Sequence, residues 1–166
     1  MICYDEYPVR LVVLTLVELL AAVALGLALV AQLGWWAALI FVVLGCLGLM
    51  LTLAYGCTRC QYYGRLCGLG LGKIASLVFR QREQRDFGRT LSQTVAWTLV
   101  GLTLALPLAA GLVSLTTGSG LTGLALLGAF LALVFVVSLT HSRHICSHCQ
   151  QARDGVCTLG RMAGRS

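Results

Sequence analysis

The sequence predicts an all-α integral membrane protein: a four-transmembrane-helix bundle made of two helical hairpins in the same orientation, each followed by a cysteine-rich segment. Three observations carry this expectation. The chain is 58% hydrophobic and 11% charged, whereas a soluble domain is about a quarter charged. Four apolar stretches, Leu11 to Ala31, Trp35 to Tyr55, Thr94 to Val113 and Leu121 to Leu139, are long enough to cross a hydrocarbon core of about 30 Å, which takes roughly 20 helical residues. Finally, Cys57-Thr-Arg-Cys60 with Cys67 is matched, 89 residues later, by Cys146-Ser-His-Cys149 with Cys157.

Each span must be a helix, because lipid offers the backbone no other hydrogen-bonding partner. The first two are joined by Gln32 to Gly34 and the last two by Ser114 to Gly120, so each pair forms a tight antiparallel hairpin. The first span is too long for a signal-peptide core and lacks a cleavage site, and reads as a retained helix. All 12 Lys and Arg fall at one end: Arg10, then Arg59, Arg65, Lys73, Arg80, Arg82, Arg85 and Arg89, then Arg143, Arg153, Arg161 and Arg165. The loops at the other end have none. By the positive-inside rule, both termini and both cysteine segments are cytoplasmic, with a prokaryotic inner membrane as the expected setting. The net charge of +6 is thus a topology signal and an attraction to anionic membrane lipids. No nucleic-acid motif accompanies it, and no nucleic-acid partner is expected.

The repeat divides the chain into residues 1–82, a basic linker 83–93, and residues 94–166. Both copies follow the second Cys with Gln (Gln61, Gln150), carry a Gly before the third Cys (Gly64, Gly155) and close on Cys-x-Leu-Gly, ending at Gly70 and Gly160. An even number of spans per copy implies a pseudo-two-fold axis along the membrane normal, which brings the triplets towards each other. Small residues four apart are expected to let helices approach closely: Ala22 and Gly26, Gly101 and Ala105, Ala125 and Ala129, Gly128 and Ala132. Pro107 should kink the third span, with Thr103 compensating. The apolar run from Gly68 to Phe79 is too short to cross and, with the arginines after it, suits the headgroup surface. Its glycines do not have the spacing of a nucleotide-binding loop.

Six thiols on a reducing side point to metal binding or redox chemistry instead of structural disulfides. A Cys-x-x-Cys pair offers two thiolates to one centre, a third Cys can close it, and Arg59, Arg65, Arg143 and Arg153 favour the thiolate form. Three Cys per copy is one short of the usual set for zinc or an iron–sulfur cluster. Three arrangements repair this. Cys3 can join the first triplet and His148, His144 or His141 the second; Cys57, Cys60, Cys146 and Cys149 can share one site; or each triplet can hold a cluster with one iron open. The leading expectation is an iron–sulfur electron-transfer or anchor subunit of a larger membrane complex or homo-oligomer, ligated by Cys57, Cys60, Cys67, Cys146, Cys149 and Cys157. A zinc-stabilised scaffold and a soft-metal carrier are the alternatives. The architecture also resembles the quinone-linked disulfide oxidoreductases of bacterial inner membranes, which implies thiol–quinone exchange, although those enzymes work on the opposite side from the one the arginines assign here.

Glu18 lies inside the first span, with no Lys or Arg in any span to pair with it. A carboxylate there costs about 3 kcal/mol on insertion scales and marks either function or a hydrogen bond. The expected donors are Thr98 or Thr103, and the expected function a proton relay or quinone contact. Cys46 is expected to pack inside the bundle, and Trp35, Trp36, Tyr55, Tyr62 and Tyr63 to form aromatic belts. His141 and His144 would share a helix face if the fourth span continues that far. There is no Ser-His-Asp set or carboxylate pair, so hydrolytic chemistry is not expected.

Overall fold

A computed structural model describes residues 3–83, 91–116 and 120–150. The described residues form helices and turns and contain no strand. The helices are α1 (Val9–Ala31), α2 (Trp35–Leu51), α3 (Leu71–Val78), α4 (Leu91–Thr116) and α5 (Gly120–Thr140). All but α3 belong to the four helical stretches long and apolar enough to cross a membrane.

The first hairpin turns where the chain runs out of helix at Gln32. Leu33 N–H donates to the Val30 carbonyl at 3.0 Å and Gly34 N–H to that of Ala31 at 3.1 Å, closing α1. Gly34 then adopts φ 123°, which side-chain-bearing residues rarely reach, and α2 begins at once with Trp35. The Trp35 and Trp36 rings stack 3.5 Å apart and stand exposed, as expected of an interfacial anchor.

Helices α1 and α4 form the centre: they pack on each other, and each of α2 and α5 packs on both. This pattern is unchanged when α1 is exchanged with α4 and α2 with α5. Leu29, Leu127 and Phe130 meet at one contact, and Val30, Phe41 and Ala110 at another. Large apolar side chains such as Leu20, Ile40, Leu112 and Phe135 face outward, where lipid is as good a solvent as another helix.

Of the small-residue pairs, Ala22 and Gly26 are buried. A Cβ on Gly26 would lie 3.1 Å from the Pro107 side chain and 3.2 Å from Phe41, so this pair lets α1 meet α2 and α4. The other three pairs are exposed, because those surfaces face lipid. Pro107 is fully buried inside a continuous α4, and the Thr103 hydroxyl donates to the Leu99 carbonyl at 2.8 Å, one turn back. Cys46, expected inside, is exposed on the outer face of α2, because Phe41 and Gly48 take the buried positions of that helix.

Candidate thiol site at one end of the bundle

Both Cys-x-x-Cys motifs are built by the same local structure. The end of α2 widens into a π-turn (Thr52–Gly56), tightens into a 3₁₀ turn (Cys57–Arg59), and leaves Cys60 extended at φ −77°, ψ 147°. The end of α5 does the same through His141–Ile145 and Cys146–His148, leaving Cys149 at φ −84°, ψ 126°. In each, the second Cys donates its N–H to the first Cys carbonyl, at 3.2 Å for Cys60 and 3.3 Å for Cys149. The residue after the first Cys donates its hydroxyl four residues back, Thr58 to Ala54 at 2.7 Å and Ser147 to Arg143. Helix ends leave carbonyls without helical donors, and these hydroxyls supply one each time. A 3₁₀ turn has three residues per turn, so residues three apart fall on one side, which is what two thiols serving one centre require.

Cys67 comes from a further turn. Gly70 N–H donates to the Cys67 carbonyl at 2.8 Å, and Gly72 N–H in the first turn of α3 donates to the Cys67 sulfur at 3.3 Å. Cys57 lies within electrostatic reach of both Cys67 and Cys60. No disulfide joins any two of the seven cysteines among the described residues. Among the described residues, no group of three or more His, Cys, Asp or Glu side chains is gathered closely enough to hold a metal ion. Cys157 lies outside the described residues.

The two motifs occupy the same end of the bundle, bound together by the segment before α1. Tyr4 N–H donates to the His148 carbonyl at 3.2 Å, and the Tyr4 ring stacks on the His148 ring at 5.1 Å. Tyr7 N–H donates to the Leu66 carbonyl at 3.0 Å, and its hydroxyl to the Ile145 carbonyl at 2.7 Å. Tyr62 completes the link: its hydroxyl donates to the Tyr4 carbonyl at 2.8 Å and accepts from Gln150 N–H at 3.2 Å. Gln150 also donates from its side chain to Asp5 at 2.8 Å. Tyr7, Val12, Tyr62 and Ile145 form a buried core against which Cys60, Cys67 and Cys149 pack. Burial, and then the neighbouring Cys149, holds the Tyr7 hydroxyl well above the usual tyrosine range; burial also raises Tyr62.

Sequence reasoning assigned Tyr62 to an aromatic belt. Instead it is 2% exposed and joins the two motifs. The hint in the sequence was the position of Tyr62 and Gln150 directly around the second Cys of each copy. The Tyr4 to His148 bond runs the N-terminal segment, and Cys3 with it, along the second motif, whereas the sequence expectation joined Cys3 to the first. His144 is exposed, and His148 Nδ1 lies 2.8 Å from the Ser147 hydroxyl.

Glu18 faces α5 and not the threonines of α4. Its Oε1 accepts from the Thr140 hydroxyl at 3.2 Å, while Oε2 is buried without a hydrogen-bond partner. His141 lies within electrostatic reach, so the carboxylate has an ionisable neighbour that the span boundaries had hidden. No protein family, curated protein or solved structure matches this chain.

Proposed function

We propose that this chain is a small integral membrane subunit carrying a duplicated cytoplasmic thiolate centre that binds an iron–sulfur cluster and passes electrons to, or anchors, a larger membrane complex. The observation that carries the reading is the repetition of one turn, π then 3₁₀ then extended Cys, at the ends of α2 and α5. Two helix ends with different sequences, Thr-Leu-Ala-Tyr-Gly and His-Ser-Arg-His-Ile, adopt one geometry, so the geometry serves the cysteines they share. The exchange symmetry of the helix packing supports an origin by duplication of a hairpin with its cysteine segment. The donor set suits a soft metal or a cluster: Cys57, Cys60 and Cys67 in one copy, Cys146, Cys149 and Cys157 in the other, with Cys3, His144 and His148 as further ligand candidates. Glu18, with Thr140 and His141, is the candidate for moving the protons that accompany electron transfer to a quinone.

A second reading, thiol–disulfide exchange at each Cys-x-x-Cys pair, is favoured by the turn that sets two cysteines three residues apart at the end of each of two helices. Anaerobic purification with iron, sulfide and zinc analysis separates the two. Iron and sulfide that fall by about half in Cys57→Ser/Cys60→Ser and vanish when Cys146→Ser/Cys149→Ser is added support the iron–sulfur centre. Stoichiometric zinc with the same loss supports a scaffold. Metal-free protein with a reversible dithiol couple assigns exchange chemistry and overturns metal binding.

A further inference from the structure

Among the described residues, Arg59 is the one charged side chain that is buried, at 7% exposure. Its guanidinium donates to the Tyr55 carbonyl at 2.9 Å and lies over the Tyr55 ring, 5.8 Å from the centroid. Both of those partners are neutral. Its Nε is buried with no acceptor at all. A second guanidinium, that of Arg82, lies over the same ring at 5.3 Å, and Arg82 is tied there by its own N–H, which donates to the Thr58 carbonyl at 3.0 Å. Two cations therefore share one aromatic ring at the end of a membrane-spanning helix, and one of them keeps an unused donor.

A buried charge is costly unless it is paired, and like charges on one ring add to that cost. Cation–π contact offsets only about 0.5–2 kcal/mol of it. An anion with several acceptor oxygens removes both penalties, and the planar fork of arginine matches phosphate in particular. The location narrows the source. Tyr55 lies in the turn that follows α2, near the end of the candidate span Trp35–Arg59, and α3 packed beside that turn exposes Ile74, Leu77 and Val78, an apolar surface suited to an acyl boundary.

We propose that Arg59, Arg82 and Tyr55 form a binding site for a phosphate group, supplied by the headgroup of an anionic lipid. Lipid phosphate supplies the opposite charge that the neutral Tyr55 carbonyl and ring do not provide.

The test uses the full chain in neutral detergent, titrated with phosphatidylglycerol, with phosphatidylcholine, or with inorganic phosphate at constant ionic strength, and read by thermal stabilisation. Wild type is expected to bind phosphatidylglycerol in preference to phosphatidylcholine, and Arg82→Gln to weaken that binding about tenfold, the scale of one charge-assisted hydrogen bond. Tyr55→Leu should weaken it as well, by releasing both guanidiniums. Arg80→Gln, an exposed neighbour, should leave it within about twofold, the small effect of a general surface charge near the membrane. Stabilisation by inorganic phosphate alone, lost in Arg82→Gln, would keep the phosphate site and reassign its source to a soluble anion. If Arg82→Gln binds phosphatidylglycerol as wild type does, or loses no more than Arg80→Gln, the site is overturned. Arg82 and Tyr55 carry the test because Arg59→Gln alters a buried residue between two cysteines and can disturb the fold by itself.

Discussion

Gly72 shows how closely the cysteine end of the bundle is built. Gly64 N–H donates to its carbonyl at 3.1 Å, and a Cβ at Gly72 would overlap the backbone carbonyl of Tyr62 and lie 2.9 Å from that of Arg65. Backbone cannot move aside as a side chain can, so Gly72→Ala is expected to cost about 2 kcal/mol, within the range for overpacking. Gly101→Ala, where no atom lies within 4 Å of the added Cβ, should be neutral or slightly stabilising through helix propensity. Thermal unfolding of the two variants in the same detergent checks the contrast, and equal effects would contradict it. At Glu18, replacement by Gln keeps an acceptor for Thr140 and removes only the titration. Assembly and melting should change by less than about 1 kcal/mol, the value of one neutral hydrogen bond. If Glu18 relays protons, quinone-linked turnover falls while assembly holds; unchanged turnover in Glu18→Gln leaves it a hydrogen-bonding residue only.

Among the elements, the segment before α1 has the largest effect on the site, and sequence reasoning gave it only Cys3. It carries Tyr4 and Tyr7, which bond to the second motif and, through Tyr62, join it to the first. Burial raises the Tyr7 and Tyr62 hydroxyls above their unfolded value of about 10. The folded chain thus holds these protons more tightly than the unfolded chain does. Their contribution is complete below about pH 10 and is lost as pH rises beyond it. In an alkaline ultraviolet titration of the folded protein, Tyr7→Phe should leave the phenolate signal near pH 10 unchanged, because Tyr7 ionises only as the end of the bundle opens. A loss of one tyrosine equivalent there would show that Tyr7 is open to water. The same variant removes the bond to the Ile145 carbonyl and should cost about 1–3 kcal/mol, since it leaves a buried acceptor unpaired.

For the whole molecule, the arrangement of α1, α2, α4 and α5 puts Cys60 and Cys149 against one core at one end of the bundle. A membrane-impermeant maleimide applied to sealed vesicles must therefore reach both from the same side, with the modified residues identified by mass spectrometry. The arginine distribution predicts that this side is the cytoplasm. Labelling of both from outside would reverse the orientation and leave the bundle standing, whereas labelling of one from each side would break the bundle itself. Cys46 should react from neither side, since its exposure is on the lipid-facing surface of a spanning helix.

The spans, their short connections and the places where the cysteine motifs begin were legible in the sequence, because length and hydropathy decide whether a segment enters lipid and a charge-free three-residue loop leaves only a hairpin. The shared Cys-x-x-Cys spacing is likewise met by one turn geometry at the ends of α2 and α5. What the sequence could not express was which face of each helix turns inward. Val13, Leu20 and Leu47 are as apolar as the buried Val12, Leu29 and Val30, and lipid removes the contrast that marks a core in water. So only the tertiary structure put Cys46 outside, turned Glu18 towards Thr140 and His141, and left three of the four small-residue pairs facing lipid. It also buried Arg59 over Tyr55 and folded the N-terminal tyrosines between the thiol pairs, since hydrogen bonds between residues as far apart as Tyr7 and Ile145 depend on how the helices pack and not on local pattern.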